Sequence, residues 1–198
     1  MKKLVTQNAV IIDTETTGLG SDAEIVEFTA ICAQTGQVLV NELVKPMCSI
    51  PAEATAIHGI TDEDVKDAPD FHIVFSMYFL PKLNGRSIIV YNADYDARLI
   101  LQSLAKHCND AYVSSVQELL FFSGPLLSFS GPQCAMLWYA EFLGDWNDCH
   151  GDYKWQSLTN ACAQQGVDVS DLTAHRALAD CEMTRRLIHA VNAKMREA

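Results

Sequence analysis

Residues 9–20 read Ala9-Val10-Ile11-Ile12-Asp13-Thr14-Glu15-Thr16-Thr17-Gly18-Leu19-Gly20. Four apolar residues run straight into an acid, and a Gly-Leu-Gly turn closes the stretch. That pattern predicts a buried strand whose last residues emerge at the edge of the core. Side chains two apart on a strand share a face, so Asp13 and Glu15 present paired carboxylates. Such a pair at a buried strand end is costly unless something positive sits between its members. A divalent metal ion is the simplest occupant. Taken alone, however, an Asp-x-Glu also reads as a turn-capping carboxylate beside a solvated glutamate.

Working outward, residues 25–33 and 37–44 are β-rich runs around Thr35-Gly36, a predicted hairpin. Thr61, three residues before Asp64, predicts a capped helix start. Residues 70–80 carry Phe71, Val74, Phe75, Tyr78 and Phe79 at helical spacing, the stripe of a helix facing a core. Residues 87–91 form a second short apolar strand, followed by a helix to about His107 with Leu99, Ile100 and Leu104 inward. Residues 109–132 hold two Gly-Pro pairs and predict an irregular insertion with one short helix. Residues 134–143 and 157–165 look helical, and 176–195 form a long amphipathic helix. Early strands followed by alternating strands and helices imply an α/β fold with a mixed sheet flanked by helices.

The chain has 198 residues, of which 49% are hydrophobic and 20% charged, with 10 Gly and 6 Pro. This excludes a disordered chain or a collagen and predicts one domain over 1–198, large enough to bury roughly 70% of its unfolded surface. The seven cysteines are scattered, with no Cys-x-x-Cys pair, and adjacent Cys149-His150 is a poor ligand pair for one tetrahedral ion. Reduced thiols are expected. Lys2 and Lys3 are followed by Thr6, Gln7 and Asn8, which break the apolar stretch that a secretory leader requires. The expectation is a soluble cytoplasmic protein. A formal charge of −11 argues against non-specific grip on a polyanion. It does not exclude a nucleic-acid enzyme whose site is acidic because it holds metal ions.

Two further segments carry chemistry. Tyr91-Asn92-Ala93-Asp94-Tyr95-Asp96 follows the second apolar strand, and spacing does not choose between Asp94 and Asp96. His175-Arg176-Ala177-Leu178-Ala179-Asp180 opens the last helix, with His175 at its mouth and Asp180 in its first turns. Each alone reads equally well as helix-end decoration.

In this order, an acid pair after a strand, an acid after a later strand and His-x4-Asp in the C-terminal helix, the chain resembles the DnaQ-like (DEDDh) 3′–5′ exonucleases. The likeness runs through residues 12–19, 24–28, 56–61, 92–96 and 175–180. It implies a ribonuclease H-like fold with a central mixed five-stranded sheet. It also implies that Asp13, Glu15, Asp96 and Asp180 hold two divalent ions, Mg²⁺ or Mn²⁺, and that His175 is the general base. The same resemblance favours Asp96 over Asp94. Oxygen donors suit these hard cations. Two of them can activate water, neutralise the phosphate and assist the departing 3′-oxygen.

Substrate contacts implied by the family fall on Thr16, whose backbone would meet the terminal nucleotide, on Leu19 as a wedge, and on Glu53 and His58. Trp138, Trp146 and Trp155 read first as core or rim packing, with base stacking the alternative. Tyr91-Asn92 departs from the His-Asn often found in the family. The expected activity is metal-dependent exonuclease action on single-stranded or frayed 3′ ends, DNA favoured over RNA, releasing nucleoside 5′-monophosphates. An oligoribonuclease on the same scaffold and an idle polymerase-associated subunit are the alternatives. A polymerase or repair partner is compatible with the family, and a membrane is not expected.

Overall fold

The structure, a computed structural model, describes residues 1–121 and 132–197. Strand β1 (Ala9–Thr16) pairs antiparallel with β2 (Ile25–Cys32), and β2 pairs antiparallel with β3 (Val38–Leu43). On its other side β1 runs parallel to β4 (Ser87–Val90), which runs parallel to β5 (Gln133–Cys134). The order is β3-β2-β1-β4-β5, a mixed five-stranded sheet. The chain leaves β1 toward one side of the sheet and returns on the other. A crevice beyond the ends of the strands is expected where the strand order switches in this way.

The helices are α1 (Ala52–His58), α2 (Asp62–Val65), α3 (Phe71–Ile73), α4 (Leu80–Leu83), α5 (Ala93–Ala105), α6 (Asp110–Phe121), α7 (Ala135–Leu143), α8 (Leu158–Gln165) and α9 (Ala177–Glu197). A π-helical stretch, Val74–Phe79, joins α3 to α4. A second small ladder pairs β6 (Trp146–Asn147) with β7 (Asp152–Tyr153).

Alternation along β1 divides the core between two faces, and both are covered, as strands apolar on both sides require. Val10 and Ile12 pack with Phe28, Phe71, Phe75, Phe79, Leu99 and Ile100 beneath the 71–83 helical run and α5. Ile11, Ile31 and Ile89 pack with Tyr139, Leu187, Ile188 and Val191 beneath α7 and α9. Phe28 lies 5.7 Å from Phe71, 6.5 Å from Phe75 and 5.1 Å from Phe79, centroid to centroid, so one strand residue gathers the whole aromatic stripe. A smaller cluster of Val26, Ile50, Ala54, Ile60 and Val65 seats α1 and α2 against the far side of β2.

The α/β architecture with a central mixed five-stranded sheet agrees with the sequence expectation, as does the Thr61–Asp64 capping box. One local expectation is corrected, and some elements carry no local sequence signal. Within 109–132, residues 110–121 form a regular helix, with Val116 and Leu120 buried in the α5-side core; the Gly-Pro pairs begin in 122–131, outside the described residues. Strand β5 has only two residues, too few to show periodicity, and exists because β4 offers it a paired edge. Helix α1 starts behind Pro51 without a side-chain cap, so no start signal marks it. Trp138 packs at the core margin and donates its indole N–H to the Lys2 carbonyl at 2.9 Å. Trp146 and Trp155 are exposed, Trp146 edge-on to Tyr153. All seven cysteines are free. Among the described residues no helix is long and apolar enough to cross a membrane.

Candidate active site

Beyond Ile12 the two faces of β1 take separate roles. Asp13 and Glu15 point to the α9 face, and Thr14 points to the α5 face. The β1–β2 register shifts between Glu15 and Thr16, a bulge that bends the strand end where the carboxylates emerge. Asp180 in the first turn of α9 completes the α9-side group. Asp13, Glu15 and Asp180 each bring a carboxylate oxygen within 4.8 Å of the others.

On the other face, the Thr14 hydroxyl donates to Asp96 Oδ1 at 2.8 Å. Asp96 is buried in the first turn of α5, whereas Asp94 is exposed, so the helix phase turns one acid inward and the other to water. Spacing alone left that choice open.

The start of α9 is built by Glu27. This buried β2 carboxylate accepts from Arg176 Nε at 3.1 Å and from its terminal nitrogen at 2.5 Å, and from the Ala177 backbone N–H at 2.9 Å. A carboxylate at the exposed amides of a helix N-terminus is favourable there. His175, just ahead, adopts left-handed backbone (φ 63°) and is exposed at the helix mouth.

Burial and mutual repulsion dominate the electrostatics. Burial, then Asp180, Glu27 and Asp96, push the Glu15 carboxyl up to about 8. Burial pushes Asp96 up to about 7 against the opposing Thr14 hydrogen bond. Asp13 is raised well above the carboxylate range by burial and by Asp96, Asp180, Glu15 and Glu27. Asp180 is raised by burial, with His175 working the other way. Clustered acids that resist ionising are what an uncompensated cation-binding set looks like.

Beside the acids lies a cavity of about 490 Å³ lined by Thr14 to Leu19, Pro51, Glu53, Ala54, Ile57, His58 and Tyr95. His58 is almost fully buried. Its Nδ1 accepts from the Ile60 amide at 3.0 Å, which leaves Nε2–H to donate to the Thr16 carbonyl at 3.2 Å. Leu19 is 80% exposed, an apolar side chain held out at the cavity rim. The four residues singled out for substrate contact, Thr16, Leu19, Glu53 and His58, therefore meet on one cavity wall.

The sequence profile of the RNase_T exonuclease family matches residues 10–188. The chain belongs to this exonuclease family. Exonuclease CP81 of Escherichia phage 186 is 45% identical over 196 residues, covering 96% of this chain and 91% of its own. The DNA polymerase III epsilon subunit of Pasteurella multocida is 27% identical, covering 88% of this chain, which spans 64% of that subunit. Among solved structures, exonuclease X in complex with 5′ overhanging duplex DNA aligns with a TM-score of 0.62 and 27% identity, covering 94% of this chain and 93% of that one. The DnaQ-like resemblance is thereby borne out, and the protein is a nuclease.

Divalent-metal dependence is general in this exonuclease family, and the donors present fit it. They are all carboxylate oxygens, and their raised affinity for protons is the mark of a negative site seeking cations. Sequence reading missed four residues, all within or beside segments already singled out. Glu27 and Arg176 anchor α9. The Tyr95 hydroxyl lies 2.9 Å from Thr16 Oγ1 and donates to the Gly18 carbonyl at 3.0 Å. Arg98 lies over the Tyr95 ring at 5.3 Å and donates to the Gly20 carbonyl, tying down the turn that carries Leu19. A tyrosine next to a candidate aspartate was the available signal; the arginine contacts had none.

Proposed function

We propose that the protein is a 3′–5′ exonuclease that removes nucleoside 5′-monophosphates from single-stranded or frayed DNA 3′ ends. The observation that carries this reading is the convergence of Asp13, Glu15 and Asp180, with Asp96 near enough to raise the Asp13 pKa, beside a cavity of nucleotide size whose rim bears an exposed leucine. The described residues act as one exonuclease domain.

In this reading the four carboxylates hold two divalent ions, Mg²⁺ or Mn²⁺, which supply water activation and neutralise charge on the phosphate. Thr14 fixes the Asp96 carboxylate, and the Glu27 anchor fixes the helix that carries Asp180. His175, exposed and free of helical restraint, accepts the proton of the attacking water. The terminal base lies against Leu19 while Thr16, Glu53 and His58 bound the terminal nucleotide. An acidic surface contributes little toward melting a duplex, so unpaired ends react first.

The test uses an oligonucleotide labelled at its 5′ end, with a 3′-hydroxyl or a 3′-phosphate, incubated with Mg²⁺ or Mn²⁺. A descending ladder from the 3′-hydroxyl substrate and none from the 3′-phosphate is the expected result. Immediate release of the labelled nucleotide, or cleavage of a circular strand, overturns the direction. A matched RNA oligomer degraded faster than DNA overturns the sugar preference.

A further inference from the structure

A second convergence of donors lies away from the acids. Asp70, His72 and His107 each bring one ligand atom within 4.8 Å of the others. Asp70 occupies the N-cap position of α3, where an aspartate ordinarily accepts from a first-turn amide. It makes no such bond. His72 stands in the first turn of α3, and its Nδ1 is buried without a hydrogen-bond partner. A buried imidazole nitrogen in that state is costly and calls for an explanation. His107 follows the C-terminal end of α5, and its ring lies 5.5 Å from that of His72.

We propose that Asp70, His72 and His107 form a second metal site, selective for a transition-metal ion of the zinc class. Two imidazoles and one carboxylate suit Zn²⁺ or Co²⁺, whereas Mg²⁺ prefers an all-oxygen shell. Bonds of about 2.0–2.2 Å in a tetrahedral site place donors roughly 3.4 Å apart. The three ligand atoms already lie within 4.8 Å of one another, so small side-chain adjustments reach that spacing, and a water molecule would complete the tetrahedron. The unpartnered His72 Nδ1 supplies its lone pair, and the Asp70 carboxylate is available because it does not cap its helix. The ion cross-links the start of the 71–83 helical run to the far end of α5, the helix whose first turn carries Asp96. The site is a clamp on the α5 side of the core, chemically distinct from the all-carboxylate cluster.

The test is zinc binding to chelator-stripped full-length protein with Mg²⁺ present in excess. An Asp13→Asn, Asp180→Asn double variant removes competition from the acidic cluster. One zinc equivalent is expected to bind the double variant, with Tm rising by about 5–10 °C at a hundredfold excess over Kd. Side-chain NMR should show the His72 and His107 ring resonances moving while those of His150 and His189 stay in place. His72→Gln and His107→Gln should each weaken zinc at least tenfold. Failure of the double variant to bind zinc, or movement of the His150 ring in place of His72 and His107, overturns the proposal. The NMR readout uses unsubstituted histidines, so it decides the matter even if a histidine variant fails to fold.

Discussion

Glu15 and Glu27 stand directly opposite each other across the β1–β2 ladder. Like charges facing each other on neighbouring strands are destabilising, and the protein resolves the conflict asymmetrically. Glu27 takes the Arg176 guanidinium and the amide at the head of α9, whereas Glu15 is left with a carboxyl pushed up to about 8. One glutamate is used to place a helix, and the other keeps its negative charge uncompensated by any such partner.

Glu27→Ala should therefore cost about 1–3 kcal/mol, since it removes a helix-terminal acceptor and the partner of a half-exposed arginine. For a chain of this size that is a fall of roughly 2–12 °C in Tm. Glu27→Gln keeps one acceptor for the Ala177 amide and should cost less. Thermal unfolding of both variants checks this, and equal stability of Glu27→Ala and wild type would refute the anchoring role.

Asp13→Asn, Glu15→Gln, Asp96→Asn and Asp180→Asn should each remove most nuclease activity. Without metal, each should leave Tm unchanged or higher, because it relieves repulsion among neighbours. Activity assays paired with thermal melts in chelator separate a functional loss from unfolding. Near-wild-type turnover by any variant excludes its residue from the active set.

The same cluster gives metal-free protein a pH-dependent stability. Carboxyls whose pKa is raised by folding bind more protons in the native state, so stability declines as pH climbs from the ordinary carboxylate range through about 7 for Asp96 and about 8 for Glu15. His58 opposes this below the ordinary imidazole value of 6.5, because burial lowers its pKa and folded protein then disfavours the charged ring. Between pH 6.5 and 8.5 the raised carboxyls set the trend. Calorimetry over that window should show Tm falling in chelator and a flatter profile with saturating Mg²⁺; a flat profile in chelator would contradict the raised pKa values.

Thr14→Val should weaken metal-dependent activity without removing a ligand. It deletes a 2.8 Å hydrogen bond to buried Asp96, a loss of about 1.5–3 kcal/mol for a charged acceptor. The Asp96 carboxyl should then be harder to ionise, so a higher metal concentration is needed for half-maximal activity. Thr14→Ser should restore the wild-type metal dependence.

His175→Ala should lower turnover by roughly 10²–10⁴-fold, the usual worth of a positioned general base. Metal affinity measured by calorimetry should change little. Joint loss of metal binding and activity would make His175 a ligand.

Local pattern alone determined the central strand and its acids. Strand periodicity acts within a few residues, so an apolar run ending in Asp13-Thr14-Glu15 places both carboxylates on one face whatever the rest of the chain does. Helical periodicity likewise marked the Phe71–Phe79 stripe and the long last helix. Tertiary structure decided what depends on partners distant in sequence. The phase of α5 against the sheet turned Asp96, and not Asp94, toward Thr14. The register of β2 set Glu27 under the head of α9. The two-residue β5 formed only because β4 had an open edge to pair. Asp70 and His72 at the start of α3 meet His107, beyond the end of α5, only because α3 packs on α5. The reason is range: periodicity is a property of neighbouring side chains, whereas a buried charge is answered by whichever group the packed core brings within a few ångströms.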